Sequence, residues 1–240
     1  SRVHFDPTRW TPLLAGETSG VLMVRAPAGT QPDINVLRKL APLRVAADQP
    51  QSRDLAALLA LARLNVPTAP IFGLRDRDAK MRAFIAGQVD ALFLSGEGVP
   101  EDVAPLTAAG AVPVFTIGAL DANGMVVADP FFPDLPEAMQ FGGGAPSFLD
   151  NAYRAAAAAV RLDFLLVLPR LTAPEVVAIW AKATASAMSS TALAAAADAS
   201  SVSLHSAPAL SSALATLNRE MPDQGSLQAF LVKSYGWQPS

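Results

Sequence analysis

Between residues 43 and 117 the apolar pattern of this 240-residue chain changes period repeatedly, and that alternation limits the fold more than any other feature. Leu43–Ala47 is a short apolar run. From Leu55 apolar residues recur at helical spacing through Leu58, Leu59 and Ala62, with Leu61 and Leu64 widening the face. Ser52 is placed to cap this helix, and Asp54 falls in its first turn. Ile71–Leu74 reads as a second strand, Asp76–Ala86 as a second helix stopped by Gly87, and Val89–Leu94 as a third strand. A helix over Glu101–Ala109, a stop at Gly110 and a strand over Val112–Ile117 repeat the scheme. Strands and helices joined by short loops in this order predict a parallel sheet with crossover helices.

The flanks are less regular. Val21–Ala26 reads as a buried strand ended by Pro27 and Gly29, after an irregular start that includes Thr11-Pro12. Asp121–Ser147, with Pro130, Pro133, Pro136 and Gly142-Gly143-Gly144, is expected to be a long loop linking two lobes. Beyond it come a helix over Leu149–Val160, a strand over Phe164–Leu168 and a helix over Ala173–Ser189. Helical segments follow at Ala192–Ala199, Ala209–Arg219 and Ser226–Tyr235, so the C-terminal third is expected to be mostly helical around one strand.

Composition removes several classes of function. Apolar residues make up 51% of the chain, yet no apolar run approaches the roughly 18 residues of a membrane span. The 18 Lys and Arg residues are scattered in a chain of formal charge −3, which argues against nucleic acid as a partner. With no cysteine there is no disulfide, thiolate metal site or cysteine nucleophile. His4 and His205 are the only histidines, and neither has a carboxylate at ligand spacing, so neither a metal nor a cofactor is expected. There is no G-x-S-x-G, and Ser95-Gly96-Glu97-Gly98 is a strand-end loop without a nearby base, so no enzyme is expected. Gly142-Gly143-Gly144 lacks the strand and the Lys-Ser/Thr pair of a phosphate loop. Ser1-Arg2-Val3-His4-Phe5 has no basic stretch followed by an apolar core, so no signal peptide is expected in this chain.

What remains are two helix N-termini that follow strands. Their free N–H groups and positive dipole ends attract carboxylates without help from basic side chains. Around the first, Gln49, Gln51, Ser52 and Arg53 supply extra donors; around the second stand Phe72, Gly73 and Leu74. In an open α/β sheet both loops leave the same edge, at the carboxyl ends of the strands. For Ser52 the alternative is a plain helix cap, for Arg53 a solvated side chain, and for Gly73 an ordinary turn.

Several segments, taken in order, resemble the Bug or tripartite tricarboxylate transporter receptor family of bacterial solute-binding proteins. Ala83–Leu94, AFIAGQVDALFL, is similar to the family's helix-Gly-x-Val-Asp-strand segment, and Ile71-Phe72-Gly73 stands where the family has Pro-Tyr-Lys-Gly. Phe5-Asp6-Pro7, Val21-Leu22-Met23-Val24, Ala108-Ala109-Gly110 with Val112–Ile117, and Phe132-Pro133-Asp134-Leu135-Pro136-Glu137-Ala138 resemble further family segments, as does Leu168-Pro169 with Pro174-Glu175-Val176-Val177. Two departures stand out. Nothing corresponds to the family's segment ahead of Tyr-Asp-Pro, and Asp48-Gln49-Pro50-Gln51 replaces its glycine-rich loop. An aspartate beside an anion site repels a carboxylate, and Pro50 removes one donor.

The resemblance implies an α/β fold like the type II periplasmic binding proteins: two lobes built on βαβ units, with a mostly helical C-terminal region. One lobe is expected over 26–115, the other from 1–25 and 116–240. It further implies noncatalytic, periplasmic capture of a small organic anion or polar metabolite, for delivery to a membrane transporter or sensor. The rival expectation is a ligand-sensing or protein-interaction module on the same fold.

Overall fold

The strand Gly20–Arg25 (β2) buries both of its faces, and its alternation divides the core in two. Leu22 and Val24 point into one apolar cluster, Val21 and Met23 into the other. Only a strand in the middle of a sheet covered on both sides is buried this way. In the computed structural model, which describes residues 10–26, 33–121, 123–142, 147–207, 209–211, 214 and 224–238, β2 is the fourth of five strands. The others are β3 (Leu43–Ala46), β4 (Thr68–Ile71), β5 (Ala91–Ser95) and β6 (Ala111–Thr116), and the order is β4-β3-β5-β2-β6.

Strands β3, β4 and β5 are parallel, as the sequence predicts. The sheet as a whole is mixed, because β2 enters antiparallel between β5 and β6. It also takes in residues 20–25, ahead of the expected 26–115 segment. The helices α2 (Leu55–Arg63) and α5 (Ser147–Arg161) cover one face, with Leu58, Leu61, Tyr153 and Val160 in that core. The helices α3 (Arg77–Ile85) and α4 (Val99–Ala108) cover the other through Phe84, Val99 and Leu106. The four-residue α1 (Ile34–Leu37) was not anticipated.

Within AFIAGQVDALFL the change of period has a mechanical cause. Helix α3 closes with the Gln88 N–H donating to Ala83 O and the Gly87 N–H to Phe84 O, both at 2.9 Å, and Gly87 takes a φ of +72°. Asp90 then receives Arg44 through two side-chain bonds, Nε to Oδ2 at 2.8 Å and Nη2 to Oδ1 at 2.6 Å. Those bonds hold the Asp90 carboxyl below the usual carboxylate range and align the starts of β3 and β5.

A second sheet lies beyond the crossovers. It has the order β10-β1-β9, formed by β1 (Trp10–Thr18), β9 (Leu162–Pro169) and β10 (Val202–Ser206), with both pairings antiparallel. The expectations of an irregular start and of a single C-terminal strand are therefore both corrected. Strand β1 accommodates Pro12 at a register shift, and its Gly16 gives room to the Phe164 ring of β9. The expected linker over Asp121–Ser147 is more structured than its prolines indicate. It carries the hairpin strand β8 (Val126–Val127), paired with β7 (Ala119–Leu120), and buries Asp129, Glu137 and Ala138. Helices α6 (Pro174–Met188), α7 (Thr191–Ala199) and α8 (Gln224–Tyr235) complete the described chain. The expected helix over Ala209–Arg219 lies largely outside the described residues, as do His4 and Phe5-Asp6-Pro7.

Candidate functional site

Because β3, β4 and β5 run parallel, the loops that leave them emerge on one edge. On that edge Ser95 pairs with Gly20, where β2 arrives from β1, and Thr116 pairs with Val21, where β6 departs toward β7. The passage from β1 to β2 and the departure of β6 toward the β7–β8 hairpin thus both lie on the edge from which the βα loops project. A cavity of about 310 Å³ occupies it, at the lower end of the range for small-molecule sites. Phe93 and Ser95 line it from β5; Asp48, Ser52, Arg53 and Asp54 come from the loop after β3. Arg75, Arg77 and Lys80 come from the loop after β4 and the first turn of α3.

Four cations and two carboxylates therefore share one small cavity, and most of them are held in place. Lys80 Nζ lies 2.5 Å from Asp54 Oδ1, with the Asp54 side chain 1% exposed and that of Lys80 11%. Asp54 Oδ2 accepts the Asp48 N–H and the Ser52 hydroxyl, each at 2.9 Å. Arg77 donates to Asp102 at 2.7 Å and to the Ser95 carbonyl at 2.9 Å. Arg53 reaches across to Asp163 of β9 at 2.6 Å and so ties the edge to the second sheet.

The sequence-predicted site residues divide. Ser52 and Arg53 line the cavity; Gln49, Gln51, Phe72, Gly73 and Leu74 do not. Gln51 Nε2 donates to Gln49 Oε1 at 3.2 Å on the exposed side of their loop. The Phe72 ring meets Tyr235 of α8 edge-on at 6.3 Å, and Leu74 packs against the α3–α4 core. The Gly73 N–H donates to the Asp48 carbonyl at 2.9 Å, so it binds one loop to the other. The two helix termini differ. Asp76 caps α3 by accepting the Ala79 N–H at 2.7 Å, and Ser52 braces Asp54 at the start of α2 instead of capping that helix itself. The positively charged groups on the cavity wall are the guanidinium groups of Arg53, Arg75 and Arg77 and the ammonium group of Lys80. Arg75, Arg77 and Lys80 were missed; the signal was a run of basic residues falling directly after a strand and into the first turn of a helix.

Beside the cavity, the crossings are pinned by buried charge. Glu17 and Arg161 each have side chains 3% exposed and lie 3.5 Å apart. Glu17 accepts the Leu120 N–H at 2.9 Å and contacts His205 Nε2 at 2.5 Å, which makes His205 a structural partner. Arg161 donates to the carbonyls of Ile117 and Gly118. Ser19 donates to Asp129 at 2.9 Å, and burial raises the Asp129 carboxyl above its ordinary range. Glu17, Arg161 and Asp129 thus brace this region, while Thr18 Oγ1 and Asp129 Oδ2 are buried without a hydrogen-bond partner among the described residues.

No family model matches the sequence, and no curated protein matches it. Solved structures do match. A TctC solute binding protein from Polaromonas aligns with a TM-score of 0.64 at 16% identity, over 96% of this chain and 72% of its own. An R. palustris protein solved with adipate gives 0.56 at 14%, over 98% and 72%. This chain has the fold of the TctC-type solute-binding proteins. A periplasmic transporter structure aligns less closely, with a TM-score of 0.52 at 14% identity over 95% and 69%. The resemblance read from collinear sequence segments thus holds at the level of the TctC-type fold.

Proposed function

We propose that this chain binds a small carboxylate-bearing metabolite in the cavity at the sheet edge and presents it to a transport system outside the cytoplasm. The observation that carries the reading is the convergence of Arg53, Arg75, Arg77 and Lys80 on one 310 Å³ cavity at the edge where the two sheets meet. Guanidinium groups recognise carboxylates through paired, charge-assisted hydrogen bonds. Phe93, 2% exposed and packed in the core beneath α2 and α5, forms an apolar part of the cavity wall. The TctC-type fold supports capture rather than catalysis, and the adipate-bound neighbour supports an organic acid as the ligand. Release and capture would proceed by rotation of one sheet unit against the other about the connections at Thr18–Gly20, Thr116–Ala119 and Arg161–Leu162.

Thermal unfolding in the presence of mono-, di- and tricarboxylates and amino acids tests this. A ligand at about 100 times its dissociation constant raises the unfolding free energy by about 2.7 kcal/mol. Stabilisation by one chemical class, lost when Arg75 and Arg77 are both replaced by Gln, is the expected outcome. A flat response to every compound overturns the reading.

A further inference from the structure

The charges of the cavity are not equally free. Lys80 is engaged by Asp54, Arg53 by Asp163 and Arg77 by Asp102. Two remain: the side chains of Arg75 and Asp48 have no hydrogen bond or ion pair among the described residues, although both line the same cavity. They are opposite in sign. A ligand entering the cavity gives up water, so each of its charged groups needs an opposite charge there, and each wall charge left facing a like charge costs binding energy.

From this we infer that the ligand is a zwitterion, an amino acid or a close relative, with its ammonium group at Asp48 and its carboxylate at Arg75. The inference rests on the cavity being the ligand site and narrows the class of carboxylate it takes. A plain dicarboxylate would use Arg75 but would bring negative charge toward Asp48, whose carboxylate has no ion pair among the described residues. A plain amine would leave Arg75 unmatched. The position of Asp48 is fixed independently of its side chain: its N–H donates to Asp54 and its carbonyl accepts from Gly73. The carboxylate of Asp48 is therefore held on the cavity wall by main-chain bonds while itself staying unpaired.

Calorimetric titration of the whole chain tests this with the protein amino acids, then with the deaminated acid and the decarboxylated amine of each one that binds, alongside adipate and glutarate. The expected result is that an amino acid binds at least about tenfold more tightly than either derivative. Asp48→Asn, which keeps the main-chain bonds of the loop, should abolish the preference over the deaminated acid, whereas Arg75→Gln should abolish the preference over the amine. If adipate, glutarate or a deaminated acid binds as well as any amino acid, and Asp48→Asn strengthens it, the zwitterion inference fails while carboxylate capture stands. If none of these compounds binds, both fail.

Discussion

Arg53 Nη2 lies 2.6 Å from Asp163 Oδ1, and this pair joins the loop after β3 to the start of β9 in the second sheet. Gly96 sits between them: a Cβ there would lie 3.3 Å from Arg53 Nη1 and 4.0 Å from Asp163 Oδ1. The pair is a clasp over the cavity rather than a prop for the fold. With the Arg53 side chain 48% exposed, it contributes less than about 1 kcal/mol to stability. Asp163→Asn should therefore leave the urea midpoint almost unchanged and yet enlarge the ligand-free radius of gyration in X-ray scattering. An unchanged radius counts against a clasp.

The Lys80–Asp54 pair behaves differently, because both partners are buried. Lys80→Met strands the Asp54 carboxylate with only the Ser52 hydroxyl and the Asp48 N–H as partners. Removing one member of a buried pair costs about 3–5 kcal/mol. The double variant Lys80→Met, Asp54→Asn should recover part of that loss in equilibrium unfolding. If the single variant costs no more than a surface substitution, the two charges are not coupled.

Alkali should weaken the fold through its two tyrosines, Tyr153 and Tyr235. Burial raises the Tyr153 phenol well above its ordinary value, with Glu137 adding to the effect, and pushes Tyr235 up to about 12. Between pH 10 and 12 the unfolded chain has released protons that the native chain still holds. The stabilisation is thus complete below about pH 10 and is lost as pH rises through the native values, amounting for Tyr235 to at most roughly 3 kcal/mol. Tyrosinate absorbance should appear together with unfolding. Titration of either phenol at its ordinary pKa in the folded protein is the contrary result.

Two glycines separate strain from collision. Gly87 and Gly118 both have left-handed φ, +72° and +73°. A Cβ on Gly87 meets nothing within 4 Å, whereas one on Gly118 would lie 2.8 Å from Val127 O and 2.8 Å from Val126 Cγ1. Gly87→Ala should cost about 1–2 kcal/mol from backbone strain alone, and Gly118→Ala clearly more. Equal urea midpoints for the two variants would show that the crossing after β6 yields freely.

The five-stranded sheet was largely legible, because each of its strands and covering helices carries its own period. The second sheet was not. Strand β1 pairs with residues 162–169 and 202–206, and its Thr11-Pro12, Gly16 and Glu17 look like loop and solvent face until Phe164, Arg161 and His205 arrive from far along the chain. At the site, the edge could be derived from parallel strand direction, which is why Ser52 and Arg53 fall on the cavity. Phe72 was drawn away by a contact with α8, more than 160 residues later, that local pattern does not encode. Arg77 and Lys80 read locally as the polar face of a helix; only the closing of α3 over the β5 edge turns them toward the cavity.

The most direct measurement is a crystal structure of the chain grown with the compound that stabilises it most. The ligand carboxylate should lie within hydrogen-bonding distance of Arg75, with the Arg53–Asp163 contact retained. A bound compound located elsewhere on the chain, leaving this cavity empty, would contradict the assignment.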